Sequence, residues 1–471
     1  MQILNLINDF MWAYLLIGLL LVCSVYYTIR TKGVQFRMIP EMFRIMLGLD
    51  EKDDPAPEKA SSKGAKRNLN SFHAFIMSLG SRVGTGNLAG VASAIVAGGP
   101  GAVFWMWIVA LLGSCSTFVE STLGQLYKRK GKDSYYGGPA YYMERGLGKR
   151  WMGVMFSVLM IVAIGLANNM VQSITITDSL LSTFGWSKWV VSITLTIIVL
   201  VIILGGITRV AVVVSYIVPV MAIGYIALAL VVCGMYADRL PDMFRAIIDG
   251  AFGLRQVGGG MLGAAVMQGV RRGLYSSESG IGSTPNIAAI AQTSHPVKQG
   301  LVQTLGVFID TLVICTCTAV IVLVSGQVNN GEDGIVLALT SLETLIGPAA
   351  KYFLAVAMFL FAFSTILANC FYGENNVGFL TRNKYVIIVF RIFSAGSILY
   401  GAVGTISGAW AMIDLFIGLM AIMNLIAISF LCKYAFRLLD DYRKQKKAGI
   451  KDPKFNKAEC LPEIADDLEA W

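Results

Sequence analysis

About eleven times along its 471 residues the chain runs through roughly twenty mostly apolar residues before the next break. Lipid offers no water to bond a bare N–H or C=O, so a spanning segment must satisfy its own backbone, as a helix or within a closed barrel. Runs of this length suit a helix and are well beyond what a strand needs. The chain therefore reads as an all-α integral membrane protein. Its helices fall near residues 10–29, 71–97, 102–127, 152–181, 189–206, 212–236, 243–268, 298–325, 349–372, 385–405 and 410–432. Charged residues are only 14% of the chain, against about a quarter in soluble proteins. The first run, Phe10 to Ile29, has no basic flank before it and no small-residue cleavage site after it. It reads as a membrane helix rather than a removable signal peptide.

Breaker clusters separate most runs: Gly98-Gly99-Pro100-Gly101, Gly137-Gly138-Pro139, Gly205-Gly206 and Gly347-Pro348. Lysine and arginine gather in alternate connections, between Arg30 and Arg67, Lys128 and Arg150, Arg271 and Lys298, at Arg382 and Lys384, and from Lys433 to Lys457. The other connections are poor in charge or acidic, as at Glu332 and Asp333. By the positive-inside bias the N-terminus lies outside and the C-terminal tail in the cytoplasm of a plasma membrane, as in a bacterial or archaeal inner membrane. The net charge of +9 is thereby explained without a nucleic-acid partner. Eight scattered cysteines form no CxxC, and two histidines, His73 and His295, leave little for a metal site. The chain divides into an extra N-terminal helix (1–33), a linker (34–69), two groups of five helices (70–240 and 241–432) and a polar tail (433–471). No obligate protein partner, cofactor or soluble catalytic domain is evident.

Four glycines, Gly80, Gly84, Gly86 and Gly90, lie inside the second run beside a cationic Arg82. Each costs a helix interior about 1 kcal/mol relative to alanine. Close packing through small residues explains Gly80 with Gly84 and Gly86 with Gly90. An unwound turn explains all four, freeing carbonyls for a cation and amides for a carboxylate. Five spans later Gly258-Gly259-Gly260 interrupts the 243–268 run. Paired interruptions point to a carrier's binding site, with helices 2–6 and 7–11 as inverted repeats.

The stretches SRVGTGNLAGVA, AGGPGAVFWMW, GLYSSESGIGSTPNIAA and FIDTLVICT closely resemble the alanine or glycine:cation symporter family, from about Val34 to Asp441. The resemblance implies a leucine-transporter fold, a 5+5 inverted repeat with one added N-terminal helix and discontinuous helices near 80–87 and 258–260. It implies sodium-coupled symport of a small neutral amino acid, alanine or glycine, with glutamine as a further candidate. The family's GxxVGxGN pattern matches Gly80, Val83, Gly84, Gly86 and Asn87. By that similarity the carbonyls of Gly80 and Val83, with the hydroxyls of Ser364 and Thr365, would hold one sodium. Asn87 would serve a second, and the amides around Thr85 and Gly86 the substrate carboxylate, with Gly258, Gly259 and Gly260 opposite. Arg82 departs from the pattern, standing where better-known carriers have a small residue.

Gln172 in the fourth helix would contact the amino acid, although glue between helices is the plainer role of a membrane amide. Ser364-Thr365 alone would read as hydroxyls bonded back to their own helix. Asn369 follows Thr365 by four residues, on the same face. Alanine carriers of this family often have a tryptophan around here, so asparagine would leave room for a larger or polar side chain. Two acids lie inside spans, and such groups are functional candidates by default. Asp310 could neutralise a cation beside Asn87 or pair with Arg82; Glu120 fits a structural or gating role. Arg271, Arg272 and Glu278 read as an inside loop and candidate cytoplasmic gate. HExxH and GxSxG are absent, which argues against an enzyme. Proton coupling through Asp310 is the alternative to sodium.

Overall fold

The computed structural model describes residues 7–49, 69–131, 135–253, 259–403 and 406–471, and these are almost all helical. Fifteen helices matter here. They are α1 (Ile7–Arg30), α2 (Ser71–Arg82), α3 (Gly86–Gly98), α4 (Gly101–Leu126), α5 (Arg150–Phe184), α6 (Lys188–Ile203) and α7 (Ile207–Met235). Then come α8 (Leu240–Phe252), α9 (Gly259–Ser277), α10 (Thr284–Ala288), α11 (Pro296–Ser325), α12 (Gly334–Ile346), α13 (Pro348–Leu380), α14 (Lys384–Val403) and α15 (Ile406–Lys447). Among the described residues, eight stretches are long and apolar enough to cross a membrane by themselves: α1, α4, α5, α11, α13, α14 and most of α7 and α15.

Helices start and stop where the local chemistry demands. Asn70 accepts the His73 amide at 2.9 Å and starts α2. Gly185, with φ +69°, ends α5 in the left-handed conformation that favours glycine. Gly347-Pro348 stops α12 and opens α13, where proline's missing N–H costs nothing. Among the described residues α4 is the central strut, packed against α1, α9, α11 and α15. Around it α13 leans on α2, α5, α7 and α12, and α14 closes over α5 and α6.

Two helical paths are interrupted. The first breaks between α2 and α3, where Val83 leaves helical geometry (ψ 91°). The second differs from expectation. Gly258 lies outside the described residues, and Gly259 and Gly260 form the first turn of α9 rather than the middle of a span. Gly98, at the end of α3, faces Ala264 and Gln268 of α9. The interruption comes instead after α9, at residues 278–283, where Glu278, Gly280 and Gly282 all have positive φ. The physical reason is plain: glycines at a helix start need no unwinding, whereas a left-handed residue inside a helical path must break it. The 243–268 run is accordingly two helices, α8 and α9.

Three further features depart from the sequence reading. The 331–347 connection contains α12, whose 13 residues are too few to span a bilayer unaided. Within the linker, Val34–Arg37 and Ile39–Met46 are short helices, and residues 50–68 lie outside the described set. The polar tail is folded: α15 runs on to Lys447, Leu461 and Leu468 are fully buried, and the Trp471 indole donates to the Gln125 carbonyl at 3.0 Å.

Gly282 carries the second break at φ +88°, and a Cβ there would meet Phe156 and Pro139 at 2.9 Å. Gly282→Ala should therefore destabilise the protein by about 1–3 kcal/mol through strain and overpacking. Thermal unfolding of the detergent-solubilised protein checks this, and an unchanged melting temperature would refute the required conformation.

Candidate functional site

The first break brings α2 and α13 together. Thr365 Oγ1 lies 3.0 Å from the Gly80 carbonyl and 3.3 Å from the Val83 carbonyl, and Ser364 Oγ lies 3.2 Å from Gly80 O. Both hydroxyls also bond back to Phe361 O, as lone helical hydroxyls do. A helix ending at Arg82 leaves late carbonyls without the amide partners a continuous helix would supply. The four residues taken as one sodium set from the sequence thus form one buried cluster of hydroxyl and carbonyl oxygens. Gly84 has to be glycine here, since a Cβ would stand 2.5 Å from Thr365 Oγ1 and 3.0 Å from Gln172 Oε1.

On the other side of the break, Asn87 Oδ1 accepts the Gly84 amide at 3.0 Å. That contact turns its Nδ2 toward Asp310 Oδ1, 2.6 Å away. Ser276 and Thr311 donate to Asp310 Oδ2 at 2.7 and 2.8 Å. Asp310 is therefore joined to Asn87, while Arg82 bonds elsewhere, to Gln303 O at 3.0 Å and Thr284 Oγ1 at 2.9 Å. A buried carboxylate ringed by hydroxyls and amides is a coherent setting for a hard monovalent cation or for a proton.

The helix α5 supplies the third wall. Gln172 Oε1 accepts the Thr85 amide at 3.1 Å, which turns Gln172 Nε2 to Asn168 Oδ1 at 3.2 Å. The Tyr275 hydroxyl donates to the same Asn168 oxygen at 2.6 Å, and its ring lies against Gly86. Asn369 Nδ2 donates to Asn169 Oδ1 at 3.0 Å. The expected residues Thr85, Gly86, Gln172 and Asn369 thus gather around the break. Of the glycine triplet, Gly258 lies outside the described residues, and Gly259 and Gly260 open α9. Three short π-helical segments carry site residues: Gly86–Gly90 holds Asn87, Ile161–Asn168 holds Asn168, and Phe308–Cys315 holds Asp310. Such bulges disturb the regular i→i−4 ladder and turn side chains off the regular face.

Below the break, Glu278 is a hub. Ser81 donates to its Oε1 at 2.8 Å, and Ser283 and Tyr372 to its Oε2 at 2.6 and 3.3 Å. Glu120 takes Asn424 Nδ2 at 2.6 Å and the Gly280 amide at 3.3 Å, so it braces the second break as a structural group would. Arg271 and Arg272 are not in a loop; they lie within α9, and Arg271 faces Asp9 at 3.1 Å and Asp414 at 3.6 Å. The sequence reading missed Ser276, Tyr275, Ser81 and Thr311. The only signal for them was position, next to Glu278, Arg82 and Asp310.

The profile of the sodium:alanine symporter family matches residues 1–457. A probable sodium/glutamine symporter, GlnT of Bacillus subtilis (strain 168), is 47% identical over 98% of this chain and 96% of its own. The amino-acid carrier protein AlsT of the same organism is 46% identical over 100% of this chain and 97% of its own. A sodium/proton-dependent alanine carrier protein of Bacillus sp. (strain PS3) is 36% identical over 84% and 92%. Among solved structures, a mutant of the Eremococcus coleocola manganese transporter superposes with a TM-score of 0.51 at 14% identity. It covers 88% of this chain and 87% of its own, a likeness of fold alone.

Glu278→Ala would strand three buried hydroxyls, at about 1–3 kcal/mol for each orphaned group. It should unfold at markedly lower temperature in detergent, and Glu278→Gln, which keeps an acceptor, should lose less. Equal stability of Glu278→Ala and wild type would exclude Glu278 as the organising acceptor.

Proposed function

The chain belongs to the sodium:alanine symporter family, and from that premise we propose that it carries a small neutral amino acid into the cell together with sodium. It is a multi-pass membrane transporter and not an enzyme. In this reading eleven spans cross the bilayer, α1 standing outside two inverted five-helix repeats that begin with the two broken paths. The N-terminus is outside and the tail cytoplasmic.

The observation that carries the ion assignment is the meeting of Ser364 and Thr365 with the carbonyls of Gly80 and Val83. Oxygen donors of this kind suit a hard cation. When sodium enters, the two hydroxyl protons rotate away and four oxygens face the ion. Sodium binding then holds the unwound turn in place. The substrate carboxylate takes the amides around Thr85 and Gly86, and Gln172 steadies that turn from α5. Asn87 and Asp310 form a second polar centre beside it, joined by the bond from Asn87 Nδ2 to Asp310 Oδ1. Ion and amino acid share one turn of backbone, so each raises the other's affinity by the same factor. One positive charge moving inward gains about 2.3 kcal/mol per 100 mV, enough for a single sodium to drive accumulation.

Proton coupling is the second reading, favoured by the hydroxyl-ringed Asp310 and by the sodium/proton-dependent alanine carrier among its relatives. Uptake of labelled alanine, glycine and glutamine into proteoliposomes separates the two. An inward sodium gradient should drive uptake, and Thr365→Ala should raise the half-saturating sodium concentration by about tenfold or more. Uptake driven by a proton gradient without sodium, and lost in Asp310→Asn, would overturn the ion assignment. No gradient-driven uptake of any amino acid would overturn transport itself.

A further inference from the structure

Past the end of α15 at Lys447 the chain turns back on its own helix, where Gln445 Nε2 donates to the Lys454 carbonyl at 2.9 Å. It then crosses one face of the bundle. Asp452 Oδ1 accepts from Ser294 Oγ and from the buried Lys298 ammonium, both at 2.6 Å. The Phe455 amide donates to the Ser294 carbonyl at 2.9 Å, and the segment ends with the Trp471 indole on the Gln125 carbonyl of α4. Close to that end, Glu469 Oε2 takes Arg129 Nε at 3.0 Å, just past α4. The same oxygen takes Arg145 Nη2 at 3.2 Å, from the short helix Pro139–Arg145 that leads into α5. Arg145 Nη1 also donates to the Asp467 carbonyl at 3.1 Å.

Most of these fastenings lie on one side of the site. Leu69, which leads into α2, accepts the Gln292 amide at 2.9 Å, two residues before Ser294. Gln125 Nε2, at the end of α4, donates to the Ala291 carbonyl at 2.8 Å. The first broken helix, the stretch leaving the second break and the end of α4 are therefore one connected train, and Asp452, Phe455 and Trp471 ride on it. Arg145 is the exception. It leads into α5, whose Gln172 forms the opposite wall of the site. Opening the site on this face parts α5 from α2 and from residues 284–298, and the contacts of Arg145 then have to break. They suit that task, because the Arg145 and Glu469 side chains are 24% and 41% exposed and surface ion pairs are weak. The buried Lys298–Asp452 pair does not, since parting it would strand a buried charge. We propose that residues 448–471 form a strap over the cytoplasmic mouth. Arg145 with Asp467 and Glu469 is its latch, opening in every transport cycle to let ion and amino acid leave. The proposal rests on the symport reading, with the tail inside.

The test locks the latch reversibly in the full-length protein. Arg145→Cys and Glu469→Cys are combined with Cys460→Ser, which removes the strap's own thiol. The new pair is joined in detergent by a bismethanethiosulfonate long enough to span the two side chains. Uptake of labelled alanine, glycine and glutamine is then read in proteoliposomes under an inward sodium gradient. The locked protein should fall below about a tenth of the rate of the same variant without crosslinker, and recover on reduction. A tail that only stabilises the fold stays fastened throughout, so the same lock would change nothing. Arg129→Cys with Glu469→Cys, crosslinked in the same way, joins two groups that ride together and should keep its uptake. Arg145→Cys with Asp467→Cys reads the same lock should the first pair fail to fold. Uptake unchanged by the Arg145 lock, or lost equally in the Arg129 lock, overturns the latch and leaves symport standing. No uptake of any amino acid by the wild type removes symport and the latch together.

Discussion

The arrangement depends on the buried carboxylate of Glu278. A membrane protein that interrupts a helix exposes backbone and side-chain groups to a medium that cannot bond them. Here one acid collects hydroxyls from both interruptions and from α13: Ser81 before the first, Ser283 after the second, and Tyr372 opposite. Glu120 repeats the device one layer away, tying the Gly280 amide to Asn424 of α15. The two breaks are thereby one mechanical unit, and a movement of α2 cannot leave α9 and α10 where they are.

Around that unit the polar groups are ordered by their bonding capacity. Asn87 and Gln172 each accept a backbone amide from the turn at 84–85 and spend their remaining N–H groups on Asp310 and Asn168. The turn is consequently read from two sides by side chains whose orientation it sets. If the turn reshapes, both amides rotate and both clusters feel it. In the symport proposed above, coupling between ion and amino acid needs no long pathway, only this shared peptide segment.

Much of this was legible in the sequence because membrane helices announce themselves by length, and glycine with proline marks their ends. The first break was readable for the same reason: four glycines in one apolar run, beside a cationic Arg82, suit an unwound turn as well as close helix packing. The break at 278–283 was missed because the triple glycine at 258–260 is a louder signal than the spaced Gly280 and Gly282, to which Glu278 adds a third positive φ. Nothing in one-dimensional spacing says that Arg271 lies in a helix facing Asp9 and Asp414 rather than in a loop. Ser276 and Tyr275 were equally silent, since their roles come from helices that meet them far along the chain. Gly80, Val83, Ser364 and Thr365 were legible as a set only through the family pattern, which records that meeting.

The folded tail has a consequence of another kind. Gln125 donates to the carbonyls of Ala288 and Ala291, just past α10, and Lys128 donates to Ala291 as well. The Lys128 ammonium sits 4.4 Å from the Trp471 ring and 4.3 Å from that of Tyr135. The segment leaving the second break is thus tethered, through two side chains of one helix end, to an indole at the far end of the chain. Tryptophan emission depends on the charges and dipoles beside the ring, so Trp471 is a built-in optical reporter on that segment, requiring no label inside the membrane.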